Sequence, residues 1–157
     1  MPTIDITVIY HRYINNTSQP LKDIIMSHKI RISSPDVAEA EPGLWSNCLQ
    51  VEDTLYLSGF TSRANDGTTI LGDNAYEQAK VIFGKMKSLC EAAGGTIDDV
   101  VTMTIYVTDV SENKEIWKAR REFFTGDFPA CALIEVKGLA NPKIKLEIQG
   151  QARLKKA

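Results

Sequence analysis

Residues 74–110, NAYEQAKVIFGKMKSLCEAAGGTIDDVVTMTIYVTDV, decide the fold. In the first part, Ala75, Ala79, Ile82, Phe83, Met86 and Cys90 recur at helical spacing and form one apolar stripe. Asn74 followed by Glu77 has the spacing of a capping box, and Gly94-Gly95 is a helix stop, which predicts a helix over 74–95. The second part changes period. Val101, Met103, Ile105 and Val107 alternate with Thr102, Thr104, Tyr106 and Thr108, so 99–110 reads as a strand with one face on the core. An amphipathic helix leading into a one-faced strand calls for a helix layer packed on a sheet.

Working outward, SENKEIWKARREFF (111–124) reads as a second helix capped by Ser111. ACALIEV (130–136) and KIKLEIQGQARL (143–154) read as the last strands. In the latter, Ile144, Leu146 and Ile148 alternate with Lys145, Glu147, Gln149 and Gln151. Upstream, 46–53 and 54–60 form a hairpin, and a polar loop fills 62–73. The order strand-strand-helix-strand-helix-strand-strand predicts an α+β two-layer sandwich, one mixed sheet with two helices on one face. The other face carries Thr, Tyr, Lys, Glu and Gln. It faces solvent or a subunit, and we favour a subunit interface. Near the start, Ile4, Ile6, Val8 and Tyr10 alternate as in a strand, and NNTSQP (15–20) is a turn or linker. Met26 opens MSHKIRISS, which itself reads as a chain start. Residues 1–25 are therefore an N-terminal extension, either an extra strand or a misassigned start, and 26–157 form a single domain.

Composition narrows the function. The chain has 157 residues, 43% hydrophobic and 24% charged, which suits one ordinary globular domain. A net charge of -2, with no basic cluster, gives nucleic acid no electrostatic foothold. No apolar stretch reaches membrane-span length, and no signal peptide is visible. Cys48, Cys90 and Cys131 are an odd, scattered set, which argues for a reducing, cytoplasmic setting. His11 and His28 lack a second plausible ligand nearby, so neither a zinc site nor a histidine triad is expected.

Taken together, LYLSGF (55–60), AYEQAKVIFGKMKSLCEAAGGTIDDVVTMTIYVTDV (75–110), REFF (121–124), FPA (128–130), IEV (134–136) and KLEIQGQA (145–152) resemble the YjgF/Rid family, the reactive-intermediate deaminase or RidA-like group. The resemblance runs over residues 29–153. It implies a chorismate-mutase-like fold and a homotrimer with small-molecule clefts between subunits. It also implies hydrolysis of enamines and imines such as 2-aminoacrylate, without cofactor or metal. Under it, Ser58 and Gly59 match the Ser-Gly pair that orients the ligand. Glu147 matches the glutamate linked to the attacking water, with the preceding loop one residue longer. Trp45 takes the place of an N-terminal-loop aromatic, usually tyrosine.

One departure stands out. After Pro129-Ala130 the deaminase pattern continues arginine, serine, cysteine; here Cys131, Ala132 and Leu133 follow. The family's arginine binds the substrate carboxylate, a contact worth about 1.5–3 kcal/mol that a thiol cannot replace. The substrate is then expected to differ from 2-aminoacrylate, or an arginine arrives from elsewhere. Arg63, Arg120 and Arg121 are the candidates, and each also reads as solvated surface charge. Cys131 reads as a small buried packing residue, and no histidine is placed to activate it. Glu147 is a water-positioning base or a solvated or interfacial carboxylate. Ser58 orients a ligand or merely ends a strand. Trp45 and Tyr106 line a cleft or pack an interface. Leu133 lies on the strand face of Cys131, as does Glu135, which lines the cleft or pairs between subunits. Three functions follow: a metal-free enzyme acting on C–N bonds, a non-catalytic metabolite-binding trimer, and an endoribonuclease, the last disfavoured by the charge.

Overall fold

The computed structural model describes residues 28–155. The strand read at 3–10, the turn at 15–20 and the whole of the 1–25 extension lie outside the described residues. Six strands and two helices follow in the order β1 (Ile30–Ile32), β2 (Cys48–Val51), β3 (Thr54–Phe60), α1 (Ala75–Ala92), β4 (Val100–Val107), α2 (Asn113–Arg120), β5 (Ala130–Glu135) and β6 (Leu146–Arg153). They make one mixed sheet in the order β1-β2-β3-β6-β4-β5. Only β4 and β5 pair in parallel; every other neighbour is antiparallel. The final strand thus inserts between β3 and β4, which α1 connects.

The core lies between helices and sheet. Ile82, Phe83, Met86 and Leu89 of α1 and Ile116 and Ala119 of α2 are buried together with Leu55, Leu57, Met103, Ile105, Leu146 and Ile148. Phe83 meets Phe124 edge-on at 5.6 Å between ring centroids, joining α1 to the chain just after α2. Among the described residues no helix is long and apolar enough to cross a membrane.

Four details differ from the sequence reading. Val101 does not face the core. It is 51% exposed, whereas Val100 is buried, because the register against β6 shifts between Val100 and Thr102. This β-bulge moves the alternation by one residue. It also drives the Thr102 carbonyl toward Gly150, where a Cβ would lie 2.7 Å from that oxygen. Ser111 is not a helix cap. The Asp109 carboxylate accepts from Ser111 N at 2.9 Å and Oγ at 2.6 Å, and a 3-10 turn over Val110–Glu112 precedes α2. At α1, Asn74 Oδ1 accepts from Glu77 N at 2.9 Å as a cap should, but Glu77 accepts from Asp73 N rather than closing the box on Asn74. Finally, β1 was not foreseen; three residues are too few to show a period.

Candidate functional site

The open face of the sheet holds the first group of residues. β3 and β6 pair Leu57 with Gly150, then slip, so that Phe60 meets Ile148. The irregularity spans Ser58 and Gly59 and turns the Gly59 Cα against Glu147. A Cβ at Gly59 would stand 2.0 Å from Glu147 Oε1 and 2.9 Å from its Cδ. Only glycine admits the carboxylate there. Glu147 lies on β6 between the buried Leu146 and Ile148 and pairs with Tyr106 across β4. Among the described residues nothing donates a hydrogen bond to its carboxylate, so both oxygens remain free to accept. Tyr106 Oη accepts from Gln149 Nε2 at 3.2 Å.

Ser58 is tied down twice. Its N–H donates to Asn47 O at 2.9 Å and its hydroxyl to Ser46 O at 2.6 Å, leaving the oxygen lone pairs as acceptors. Trp45 donates from Nε1 to Asn47 Oδ1 at 3.2 Å while its ring stays 55% exposed. Both therefore hang on Asn47, which is buried and anchors to Ala38 O at 2.9 Å. The sequence reading missed Asn47; a polar residue opening a strand carries no pattern of its own.

Trp45, Asn47 and Gly59 border a cleft of about 440 Å³ that also takes in Arg63 and Lys85. Arg63 donates from Nη1 to Gly67 O at 2.9 Å. Its loop is ordered by Asp66, which accepts from Thr68 N and Thr69 N at 2.8 Å each and from Thr69 Oγ at 2.5 Å. These bonds, the Thr69 hydroxyl first, bring the Asp66 carboxyl down to about 2. Lys85, also missed, rises from α1 and donates from Nζ to Thr61 O at 3.0 Å and to Arg63 O. Burial, then the Arg63 charge, pushes its pKa down. Glu39 and Glu41 share the cleft, so its charge is mixed.

The second group sits at the β5 edge. The parallel register pairs Met103 with Cys131 and Ile105 with Leu133, which puts both on the helix-side face. Leu133 packs half-buried against the core. Cys131 is exposed, so the reading of a buried packing residue does not hold. β5 is an edge strand with five of its six residues exposed, although its run of apolar residues has the composition of a covered one. Partial desolvation pushes the Cys131 thiol up, while the neighbouring Arg120 charge pulls the other way. Arg120 is not free surface charge either: its guanidinium is part-buried and donates to Pro129 O at 3.1 Å. Glu135 accepts from Val110 N at 2.8 Å through one of its two oxygens.

Glu147 pairs with Tyr106, and Cys131 pairs with Met103, three residues earlier on β4. An odd offset along one strand puts the two on opposite faces of the sheet. One subunit therefore does not bring Glu147 and Cys131 to one ligand. Among the described residues no cluster of His, Cys, Asp or Glu is arranged to hold a metal.

The family model described as Endoribonuclease L-PSP matches residues 37–154. A 2-iminobutanoate/2-iminopropanoate deaminase of Dermatophagoides farinae is 32% identical over 126 residues, covering 78% of this chain and 95% of the relative. A RutC family protein of Saccharolobus solfataricus is 29% identical over 119 residues, covering 76% of this chain and 88% of its own. Among solved structures, a protein of unknown function from Pseudomonas aeruginosa superposes with a TM-score of 0.72 at 37% identity, covering 82% of this chain and 94% of that one. RidA from an Antarctic Psychrobacter superposes with a TM-score of 0.71 at 27% identity, covering 80% and 99%.

Proposed function

The chain belongs to the YjgF/Rid family, and from that premise we propose that it forms a homotrimer, binds a small metabolite in clefts completed by neighbouring subunits, and hydrolyses an imine or enamine C–N bond there. The observation that carries this reading is the Glu147 carboxylate seated on Gly59, to which no hydrogen bond is donated among the described residues. A carboxylate so held suits a general base. Water adds through oxygen to the imine carbon as Glu147 takes its proton. That proton passes to the nitrogen to give the neutral carbinolamine; the carbinolamine hydroxyl then gives its proton through Glu147 to the nitrogen, the C–N bond breaks, and the carbonyl forms as ammonia leaves. The enamine form enters by prior protonation at carbon. The sum is imine plus water giving ketone plus ammonia, with no electron transfer. Ser58 and Gly59 orient the ligand, Trp45 and Tyr106 border it, and the opposite placement of Glu147 and Cys131 favours a site shared between subunits.

Cys131 in place of arginine separates this chain from the deaminase pattern, and we expect a substrate other than 2-aminoacrylate. The same replacement favours a second reading, a trimer that binds a metabolite without chemistry. Freshly generated 2-iminobutanoate distinguishes them when ammonia release is followed with and without protein. Acceleration well above the uncatalysed rate supports hydrolysis. A ligand-dependent rise in Tm with no acceleration supports binding alone. A net charge of -2 without a basic cluster suits RNA binding poorly; RNA affinity falling steeply with salt would revive the endoribonuclease reading.

A further inference from the structure

The arginine of the deaminase pattern is missing from β5, but a guanidinium still occupies that corner. Arg120, the last residue of α2, reaches across to the segment entering β5. Its Nη2 donates to Pro129 O at 3.1 Å. Its guanidinium carbon lies 5.2 Å from the Phe128 ring centroid and 5.6 Å from that of Trp117. Two aromatic contacts and a backbone tether fix a side chain that solvent would leave mobile. Its charge also acts on Cys131, two residues beyond Pro129. One feature is unfinished: Nε is buried and has no acceptor among the described residues. A buried donor on a charged group is costly unless something accepts from it.

We infer that Arg120 is an anion-binding group beside the start of β5 and takes the carboxylate of a 2-imino or 2-oxo acid that enters over Cys131. The choice of ligand rests on the proposed imine hydrolysis; the choice of residue rests on the geometry. A planar fork matches a carboxylate, and a single fixed cation suits a monoanion better than a phosphate dianion. The Cys131 thiol faces the guanidinium and, being small and uncharged, competes only weakly with a carboxylate for it. The other candidates are placed differently: Arg63 is tethered to Gly67 O at the separate cleft, and Arg121 is exposed. A guanidinium from α2 therefore lies beside the β5 position at which the deaminase pattern has its arginine. Arg120 becomes a specificity-determining residue, and the substrate class remains carboxylic.

The test uses full-length protein and two readouts. Calorimetric titration with 2-oxobutanoate, the stable product of imine hydrolysis, reports anchoring without chemistry. Initial rates with 2-iminobutanoate report KM and kcat separately. Arg120→Gln should weaken 2-oxobutanoate binding by about ten- to a hundred-fold. It should raise KM by a similar factor and leave kcat within a few-fold. Arg120→Gln with Cys131→Arg should recover most of the binding, because the guanidinium returns to the same corner from β5. Arg153→Gln, a distant cation, should match wild type. Should Arg120→Gln melt early, Arg120→Lys keeps the stem and the charge while removing Nε–H, and it should still bind more weakly than wild type. Wild-type binding and turnover in Arg120→Gln would overturn the inference and leave imine hydrolysis standing. Binding lost in Arg120→Gln, with no turnover even in wild type, would uphold the inference and sink the hydrolase reading. A wild type that does not bind 2-oxobutanoate would overturn the inference.

Discussion

The contact between Gly59 and Glu147 and the corner around Cys131 are built on different terms. At the first, a carboxylate rests where a side chain would have to be, and the absence of a Cβ is the site. No other residue type can supply that. At the second, what matters is a charge at a place. A side chain from β5 or from α2 can deliver it, provided neighbouring rings and a carbonyl fix its end. Backbone-defined contacts are intolerant of substitution, whereas side-chain-defined positions can be filled from another element.

The sharpest way to strain that comparison is to attack its fixed half. Glu147→Gln keeps shape and volume but removes the base, and kcat for 2-iminobutanoate should fall by about 10²–10⁴. Gly59→Ala should cost about 10² in kcat/KM, since displacing a reacting group by roughly an ångström has that consequence. Its melting temperature should barely move, because the obstacle is the tip of a flexible side chain. Gly150→Ala provides the contrast. Its Cβ would meet the Thr102 carbonyl at 2.7 Å, which is backbone within the sheet. Stability should drop by about 1–3 kcal/mol, seen as an earlier urea midpoint. The smallest effect concerns the adaptable half. Cys131 should be the only thiol among the three cysteines that iodoacetamide modifies in the folded protein, since Cys48 and Cys90 are buried and burial pushes both up to about 12. Its thiol is raised, so alkylation should be slow at neutral pH and quicken as the solution becomes alkaline. Because Arg120 favours the thiolate, Arg120→Gln should raise that pKa further and slow alkylation at a fixed pH.

Much of this was legible in the residues. The α1 stripe and the alternation of β4 and β6 reflect long elements with one buried face, where period and burial must agree. The bulge at Val100–Thr102 was not legible, because an apolar Val101 continues the period that the backbone has already broken. The cap of α2 was misplaced because Asp109 and Ser111 both suit a helix start, and only the hydrogen bonds decide between them. Ser58, Gly59 and Glu147 were singled out by the family resemblance rather than by any period of their own, and Gly59 and Glu147 do touch. The exposure of Cys131 and the partial burial of Arg120 were not legible for one shared reason: which strand lies at a sheet edge, and where the last turn of a helix reaches, are long-range facts that periodicity does not hold.

β6 is the last strand in sequence and yet lies in the middle of the sheet, between β3 and β4. A ribosome delivers the flanking strands first and must wait for the filler. Until residues 146–153 emerge, β3 and β4 have no partner between them, and the apolar stripe of α1 lacks Leu146 and Ile148 to close on. The same eight residues carry Glu147. Core and carboxylate therefore arrive in one late step, and a nascent chain would pass from open to competent without a stage that has the second and lacks the first.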